Sequence, residues 1–291
     1  MKKLIVIVPS NLRNNDDICR LMETQVVNEN VYVIFINQSD DKTSLMEFFR
    51  NRLCVIDEIF TQGVVPLSIA RNIGLDYLYK KKNITPDSLV MFVDDDAWFP
   101  SETINYLLHE DIKGISLKTI DPIQNKSFKK VKKRKGEITG YHLIRDIVSI
   151  CLVIPYEYLA SKPYFNTRLG LGNNISQGEE SLFIYELHKK GFPIYYDEHL
   201  IYHPYKRTFN MKNYYSMSYF WSLGLFHISK MFLIPTIMYL GKYTVALLLI
   251  VKDRRYGTIS KNVWIGFWNG MKDTENILEV KNGKNINSKT S

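Results

Sequence analysis

Cysteine is scarce in this chain, which has three cysteines among 291 residues, at Cys19, Cys54 and Cys151. They stand far apart, and no two of them have the CxxC spacing of a zinc or redox site. This usage predicts a reducing compartment and no structural zinc. The first residues mimic a signal peptide, but the apolar run Leu4–Val8 is too short and no small-residue cleavage site follows it. We interpret that run as the first buried strand.

Two glycine-rich phosphate-binding motifs are also missing. The sequence has no P-loop, and no GxGxxG motif follows the first predicted strand. These absences argue against a nucleotide kinase and against a dinucleotide-dependent dehydrogenase. No internal repeat is present, and 45% hydrophobic with 23% charged residues is the composition of an ordinary globular protein.

Acidic residues are few in the last third of the chain. Residues 204–291 contain 13 Lys and Arg against 4 Asp and Glu, a net charge of +9, whereas the whole chain carries +8. The preceding residues are therefore close to neutral. The basic part is also rich in aromatic and aliphatic residues, which favours an anionic membrane surface as its partner and does not favour nucleic acid.

Three consecutive aspartates, Asp94, Asp95 and Asp96, follow the apolar run Leu89–Val93. The run predicts a buried central strand. Neighbouring carboxylates repel one another, and a divalent cation is the usual relief. Ligands of open α/β sheets bind at the carboxyl ends of strands, so the pattern predicts a metal and phosphate site. The alternative, a turn in which an aspartate caps a helix, needs one of the three.

Strand and helix patterns alternate over residues 1–110, which predicts a mostly parallel sheet with helices on both faces. Strands are predicted at Leu4–Val8, Val31–Ile36, Val55–Phe60 and Leu89–Val93. Helices are predicted at Asp16–Val26, Ser68–Lys81 and Ser101–Leu108, the last one capped by Ser101.

Residues 111–205 differ in pattern. Strand-like segments at 114–120 and 147–154 flank the basic run Lys129–Lys135, which is either a solvated loop or a surface for an anionic acceptor. A loop rich in glycine and asparagine, residues 170–178, leads into Glu179 and Glu180 and a helix through Lys189. Short strands are predicted at 194–196 and 201–203.

Residues 206–272 are aromatic and are predicted to be helical. The apolar run Met231–Val251 has 21 residues, but Gly241 and Lys242 interrupt it. The run therefore predicts an interfacial or re-entrant helix pair flanked by Lys230, Lys252, Arg254 and Arg255, and helices of the globular core remain the alternative. Residues 273–291 are polar and predicted to be disordered.

Six motifs, taken in order, resemble those of a known family. They are Val8-Pro9-Ser10, Ile36–Asp41, Ser68–Gly74, Val93–Pro100, Gly178–Leu182 and Ile201–Pro204. Their order and spacing resemble the family-2 glycosyltransferases of the GT-A fold, especially bacterial capsule and exopolysaccharide enzymes. The resemblance implies a GT-A, Rossmann-like, mixed and mostly parallel sheet over residues 1–205. Residues 1–110 would form the nucleotide-sugar half and 111–205 the acceptor half, followed by a membrane-associated helical region, 206–272.

The resemblance also implies a metal site. Asp94 and Asp96 would form the DxD pair and hold Mn²⁺ or Mg²⁺, with Asp96 as the most direct ligand. His203 would be a further ligand, although a single histidine is as often an ordinary surface or core residue. Asp94 or Asp95 would hold the ribose hydroxyls of the donor.

The remaining roles follow from the same resemblance. Glu180, or alternatively Glu179, would be the base that takes a proton from the acceptor hydroxyl, and the reaction would invert the anomeric carbon. Pro9 and Ser10 would border the nucleoside. Arg71 would contact the diphosphate or fix the acidic loop. Asn37 stands where the family often has an aspartate that binds uracil. The resemblance therefore implies a uridine donor less strongly than it does for other members of the family.

The function expected from the sequence is metal-dependent transfer of a hexose or N-acetylhexosamine from a nucleotide-diphosphate sugar. The acceptor would be a lipid-linked or growing saccharide at the cytoplasmic face of the bacterial membrane. The sequence is compatible with a homodimer and does not determine the oligomeric state. A non-catalytic membrane-bound partner subunit and a sugar nucleotidyltransferase are the alternatives. The second would need an arginine-bearing glycine-rich loop after strand one, where this chain has Pro9-Ser10-Asn11. A phosphatase would need Thr or Val in place of Trp98.

Overall fold

A computed structural model describes residues 2–11, 16, 19–21, 28–39, 55–127, 136–140, 142–143, 146–204, 211–223, 241 and 255–272. The basic run 129–135, residues 273–291 and all but Gly241 of the apolar run 231–251 lie outside the described residues, so their predictions stay open. The chain divides into two compact units. The sheet unit comprises residues 1–165 and 179–207, and the helical unit comprises residues 166–178 and 208–291.

The described elements have the following bounds. The strands are β1 Leu4–Ser10, β2 Val31–Asn37, β3 Val55–Phe60, β4 Leu89–Phe92, β5 Gly114–Asp121, β6 Lys126–Ser127, β7 Leu152–Pro155 and β8 Ile194–Tyr202. The α-helices are α1 Leu67–Lys80, α2 Ser101–His109, α3 Glu179–Lys189, α4 Met211–Leu223 and α5 Arg255–Lys272. Short 3-10 helices span Ser149–Cys151 and Tyr156–Leu159.

Within the described residues, eight strands form one sheet in the order β3-β2-β1-β4-β7-β5-β6, with β8 paired to β5. The pairs among β3, β2, β1 and β4 are parallel, and so is the pair of β5 with β8. Strand β7 runs antiparallel to both β4 and β5. The mixed, mostly parallel sheet predicted from the sequence is confirmed.

Both faces of the sheet are covered, and the central strands are apolar up to the polar residues at their carboxyl ends. Along β1, Leu4, Val6 and Val8 belong to one buried cluster, which also contains Ile104 and Leu107 of α2. The alternate residues of β1 belong to a second cluster that contains apolar residues of α1 and α3. Side chains of successive strand residues point to opposite faces, so a continuous apolar run fits a strand between two helical layers.

Three local predictions differ from the structure. The predicted strands 194–196 and 201–203 are one strand, β8, which ends at Tyr202, because its pairing with β5 stops at Tyr196 and resumes at Leu200 after a shift of register. The predicted strand 147–154 begins with a 3-10 turn, and only Leu152–Pro155 is strand. Ser101 is the first helical residue of α2 and not its cap, since Pro100 precedes it and no side-chain cap bond forms.

The parallel strands place their carboxyl ends along one edge of the sheet. Ser10 at the end of β1 pairs with Asn37 at the end of β2. The N–H of Val93, just after β4, donates to the carbonyl of Ile7 at 3.0 Å. The chain segments that follow these three strands therefore meet at one place.

The contact between α1 and β1 requires a glycine at position 74. A Cβ atom added at Gly74 would lie 2.5 Å from Cγ2 of Ile7, which is buried. We predict that Gly74→Ala lowers the free energy of unfolding by about 1–3 kcal/mol, because the core must shift to accept the methyl group. Chemical denaturation of the full chain measures this change.

The control is Gly257→Ala in α5, where a Cβ would meet no atom within 4 Å. This change should leave the free energy of unfolding unchanged or raise it slightly, because alanine has a higher helix propensity than glycine. Equal stability of the Gly74→Ala variant and the parent would contradict the close approach of α1 and β1.

Candidate active site

The three aspartates form a tight turn directly after the central strand β4. The N–H of Ala97 donates to the carbonyl of Asp94 at 3.1 Å, which closes the turn. Strand β4 is fully buried, whereas all three aspartates are partly exposed. The apolar strand thus carries its acidic end to the edge of the sheet where ligands of such folds bind.

A backbone bridge brings His203 to this turn from far along the chain. Trp98 donates its N–H to the carbonyl of Tyr202 at 2.9 Å, and Tyr202 donates back to Trp98 at 2.8 Å. The bridge ties the end of β8 to the acidic turn. As a result, Nε2 of His203 lies 3.0 Å from Oδ1 of Asp96 and 3.8 Å from Oδ2 of Asp94.

These three side chains fit one divalent cation. Ligand atoms of Asp94, Asp96 and His203 lie within 4.8 Å of one another, and within the described part of the chain this is the one group of its kind. Neighbouring ligands of an octahedral ion at about 2.1 Å stand about 3.0 Å apart, which is the separation of His203 and Asp96. Two carboxylate oxygens and one imidazole nitrogen suit Mn²⁺, and the oxygens suit Mg²⁺ as well.

Without a cation, protonated His203 balances the acidic turn. Burial alone would lower the pKa of His203, but hydrogen bonds to Asp94 and Asp96 outweigh burial and raise the pKa to about 10. Burial would raise the pKa of Asp94, yet the hydrogen bond from His203 and the charge of Arg71 hold it below its usual range. A metal ion ligated by His203 must therefore displace a proton at neutral pH.

Arg71 links the acidic turn to the start of helix α3. Its side chain is 1% exposed, and its guanidinium lies 3.2 Å from Oδ1 of Asp94 and 3.2 Å from Oε1 of Glu179. It also donates to Oγ of Ser149 at 2.8 Å. The sequence analysis named Arg71 but missed Ser149, which lies in a short 3-10 turn outside every motif.

The two glutamates at the start of α3 differ in their surroundings. Glu179 is buried, and burial together with the neighbouring charge of Glu180 raises the pKa of Glu179 well above its usual range in spite of Arg71. Glu180 is partly exposed as a residue, and the buried Oε2 atoms of both glutamates have no hydrogen-bond partner among the described residues. The more exposed side chain of the pair is therefore that of Glu180, while Arg71 holds Oε1 of Glu179.

The residues predicted to border the nucleoside lie at the ends of β1 and β2. Ser10 donates a short hydrogen bond to the carboxylate of Asp95. Asn37 is buried, donates to Oε1 of Glu58 at 2.7 Å and accepts from the backbone and hydroxyl of Ser39 at 2.9 and 2.7 Å. The amide of Asn37 thus organises the segment after β2, together with Glu58, which the sequence analysis did not single out.

Pro9 lies within β1, paired with Ile36 of β2, and so stands one residue before the edge formed by Ser10 and Asn37. The structure consequently places every residue predicted for the site in the sheet unit, along the carboxyl edge of its strands, in helix α1 in the case of Arg71, or at the start of α3.

Comparison with known proteins gives a likeness of fold alone. No family model matches the chain, and no curated protein is similar to it. Among solved structures, the chain is similar to the crystal structure of GalNAc-T7 with UDP, GalNAc and Mn2+, with a TM-score of 0.50 and 10% identity. The match covers 77% of this chain and 50% of that chain, so the chain spans about half the length of this neighbour. The likeness confirms the predicted fold class, a GT-A type of α/β fold.

The bridge formed by Arg71 leads to a stability prediction. We predict that Arg71→Met lowers the free energy of unfolding by roughly 3–5 kcal/mol, because it leaves the buried carboxylate of Glu179 and the partly exposed one of Asp94 without the guanidinium. Denaturation of Arg71→Met, Glu179→Gln and the double variant measures the coupling. The double variant should be less destabilised than the sum of the two single variants.

The matched variant is Arg71→Lys, which keeps the charge but cannot reach both carboxylates with a planar fork. Its stability should lie between that of the parent and that of Arg71→Met. Strictly additive effects in the double variant would show that Arg71 and Glu179 do not act as a pair.

Proposed function

We propose that this protein is a metal-dependent, inverting glycosyltransferase of the family-2 type. The donor would be a nucleotide-diphosphate sugar, a UDP-sugar first of all, and the transferred group a hexose or N-acetylhexosamine. The acceptor would be a lipid-linked or growing saccharide in the synthesis of a cell-surface polysaccharide. The observation that carries the proposal is the group of possible metal ligands Asp94, Asp96 and His203. Arg71 connects this group to the acidic pair of α3 through Asp94 and Glu179.

The acidic turn would hold the diphosphate end of the donor. A bound divalent cation would act there as a Lewis acid on the diphosphate. Asp96 and His203, 3.0 Å apart, would hold that cation, and Asp94 would complete the set from its position beside Arg71. Ser10 and Asp95, joined by a hydrogen bond, lie at the same edge and would contact the ribose and base.

The base of the reaction would be Glu180. Its carboxylate would take the proton from the acceptor hydroxyl while that oxygen attacks the anomeric carbon. The bond from that carbon to the diphosphate breaks on the opposite side, so the configuration inverts. Glu179 is the weaker choice because Arg71 engages its Oε1 atom and because it is buried.

The metal role predicts two linked losses. In Asp96→Ala, sugar transfer should be abolished, and binding of UDP in the presence of Mn²⁺ should weaken, because one of the cation's ligands is lost. Transfer assays with a panel of nucleotide sugars, in Mn²⁺ and in EDTA, measure the loss of sugar transfer and identify the donor. Isothermal titration calorimetry with UDP and Mn²⁺ measures the second.

The same calorimetry tests the ionisation of His203. Because the pKa of His203 is raised to about 10, the side chain is protonated at pH 7 and the cation must displace that proton. Metal affinity should therefore rise by about tenfold per pH unit above neutrality, up to the pKa. Full activity in EDTA, or a metal affinity independent of pH, would exclude this role for the three side chains.

The proton transfer gives a prediction of its own. Glu180→Gln should lower kcat by a factor on the order of 10²–10⁴ and leave donor binding nearly unchanged, because the amide cannot accept the proton. Glu179→Gln is the matched control, since it removes the neighbouring carboxylate. It should lower the free energy of unfolding and change kcat much less than Glu180→Gln does. The opposite pattern would assign the base to Glu179, and loss of activity in neither variant would exclude both residues.

A further inference from the structure

Within the helical unit, helices α4 and α5 lie in close contact because small residues line their interface. A Cβ atom added at Gly266 would lie 2.4 Å from the carbonyl oxygen of Tyr215, and one added at Gly270 would lie 2.2 Å from that of Tyr219. The hydroxyl of Ser222 donates to the carbonyl of Phe267 at 2.8 Å. These contacts hold the two helices as one body, so residues on their outer sides keep fixed positions.

An apolar aromatic surface remains on the outer side of α5. Trp264, Ile265 and Trp268 are 40%, 39% and 38% exposed, and we call these three residues the tryptophan face. The two indole rings contact each other edge to face at 5.5 Å between centroids. Residues three and four positions apart lie on one side of a helix, and Ile265 and Trp264 stand at these spacings from Trp268, so the three side chains form a single patch.

Positively charged side chains flank this patch along α5. Lys261 and Lys272 are exposed, and in α5 they precede and follow the tryptophan face by about one turn. The sequences of α4 and α5 contain Lys212, Arg255, Lys261 and Lys272 and no acidic residue. A helix with tryptophan on one side and lysine at its margins is typical of attachment to an anionic lipid interface.

The charge also argues against a second copy of this chain as the occupant of the face. Two copies facing each other through this surface would bring Lys261 and Lys272 of both copies together, whereas anionic headgroups neutralise these charges. Among the described residues, no helix is both long enough and apolar enough to cross a bilayer. An amphipathic helix with tryptophan on one side and lysine at its margins binds parallel to the membrane surface.

Helix α4 also supports the glycine-rich loop that precedes the glutamates of α3. The N–H of Ser176 donates to the hydroxyl of Ser216 at 3.1 Å. The ring of Phe220 lies against Gly178, where an added Cβ would be 2.1 Å from Cδ2. Leu171 of this loop is 67% exposed. The loop and the tryptophan face therefore belong to one unit, and a surface that binds the face also fixes the loop.

We propose that the tryptophan face, with Lys261 and Lys272, docks this protein on an anionic membrane surface, and that the loop 170–178 thereby meets an acceptor saccharide whose lipid lies in that membrane. The second half of this statement rests on the proposed glycosyltransferase function. The first half does not, and its test requires no catalysis. Tryptophan side chains insert at the headgroup level, and the two lysines contact anionic headgroups.

Co-sedimentation of the full chain with vesicles tests the docking. The vesicles contain phosphatidylcholine alone or phosphatidylcholine with phosphatidylglycerol. The parent chain should bind the anionic vesicles in preference, and Trp264→Ser with Trp268→Ser should weaken binding at least about tenfold by removing apolar contact. Lys261→Glu with Lys272→Glu should abolish the preference for anionic vesicles, and added salt should reduce the preference of the parent.

The control variant is Ile123→Ser, which removes an 84% exposed apolar residue of the sheet unit and should bind as the parent does. Circular dichroism melting of each variant verifies its fold, and Glu180→Gln should bind vesicles normally even if it is inactive. Equal binding of the parent and the double tryptophan variant would overturn the proposal. An oligomer of the parent that the tryptophan substitutions dissociate, without vesicle binding, would assign the face to a second copy and would also overturn it.

Discussion

The site depends on one buried arginine, Arg71, whose guanidinium lies between two carboxylates. Arg71 loses its hydration on burial, and the free-energy cost is several kcal/mol unless charged partners replace the water. Asp94 and Glu179 supply those partners, each at 3.2 Å, and Ser149 adds a third contact. The partners come from the end of β4, the start of α3 and the turn before β7, so one guanidinium fixes the relative positions of three elements that are distant in sequence.

This arrangement determines which carboxylates remain for chemistry. One oxygen of Asp94 contacts Arg71, while the other lies 3.8 Å from His203, so Asp94 belongs to both the charge bridge and the metal-binding set. Glu179 is engaged by the same guanidinium, which leaves Glu180 as the more exposed acid of its pair. Glu179 and Glu180, which are neighbours of the same type, therefore have different surroundings because Arg71 contacts only the first. A buried arginine can do this because its planar fork contacts two carboxylates at once.

The sequence predicted the fold class and the position of the acidic turn because both depend on local patterns. A run of apolar residues ended by aspartates defines a buried strand and its exposed end without reference to the rest of the chain. Ser149 and Glu58 were missed because their roles come from contacts with Arg71 and Asn37, which no local pattern records. The single strand β8 was read as two because its central polar residues resemble a turn, although Asp197 accepts hydrogen bonds from Tyr106 and from the backbone of His199.

Gly178 directly precedes helix α3, and its conformation determines how the helix begins. Gly178 has φ +100, a conformation that disfavours other residues, and the ring of Phe220 occupies the space that a side chain would need. The chain can therefore turn there and begin α3 at once, which places both glutamates in the first helical turn. The unpaired N–H groups of a helix start favour carboxylates in their ionised form, and this opposes the burial that raises the pKa of Glu179. The positive φ of Gly178 thus allows α3 to begin at Glu179, with both acids in its first turn.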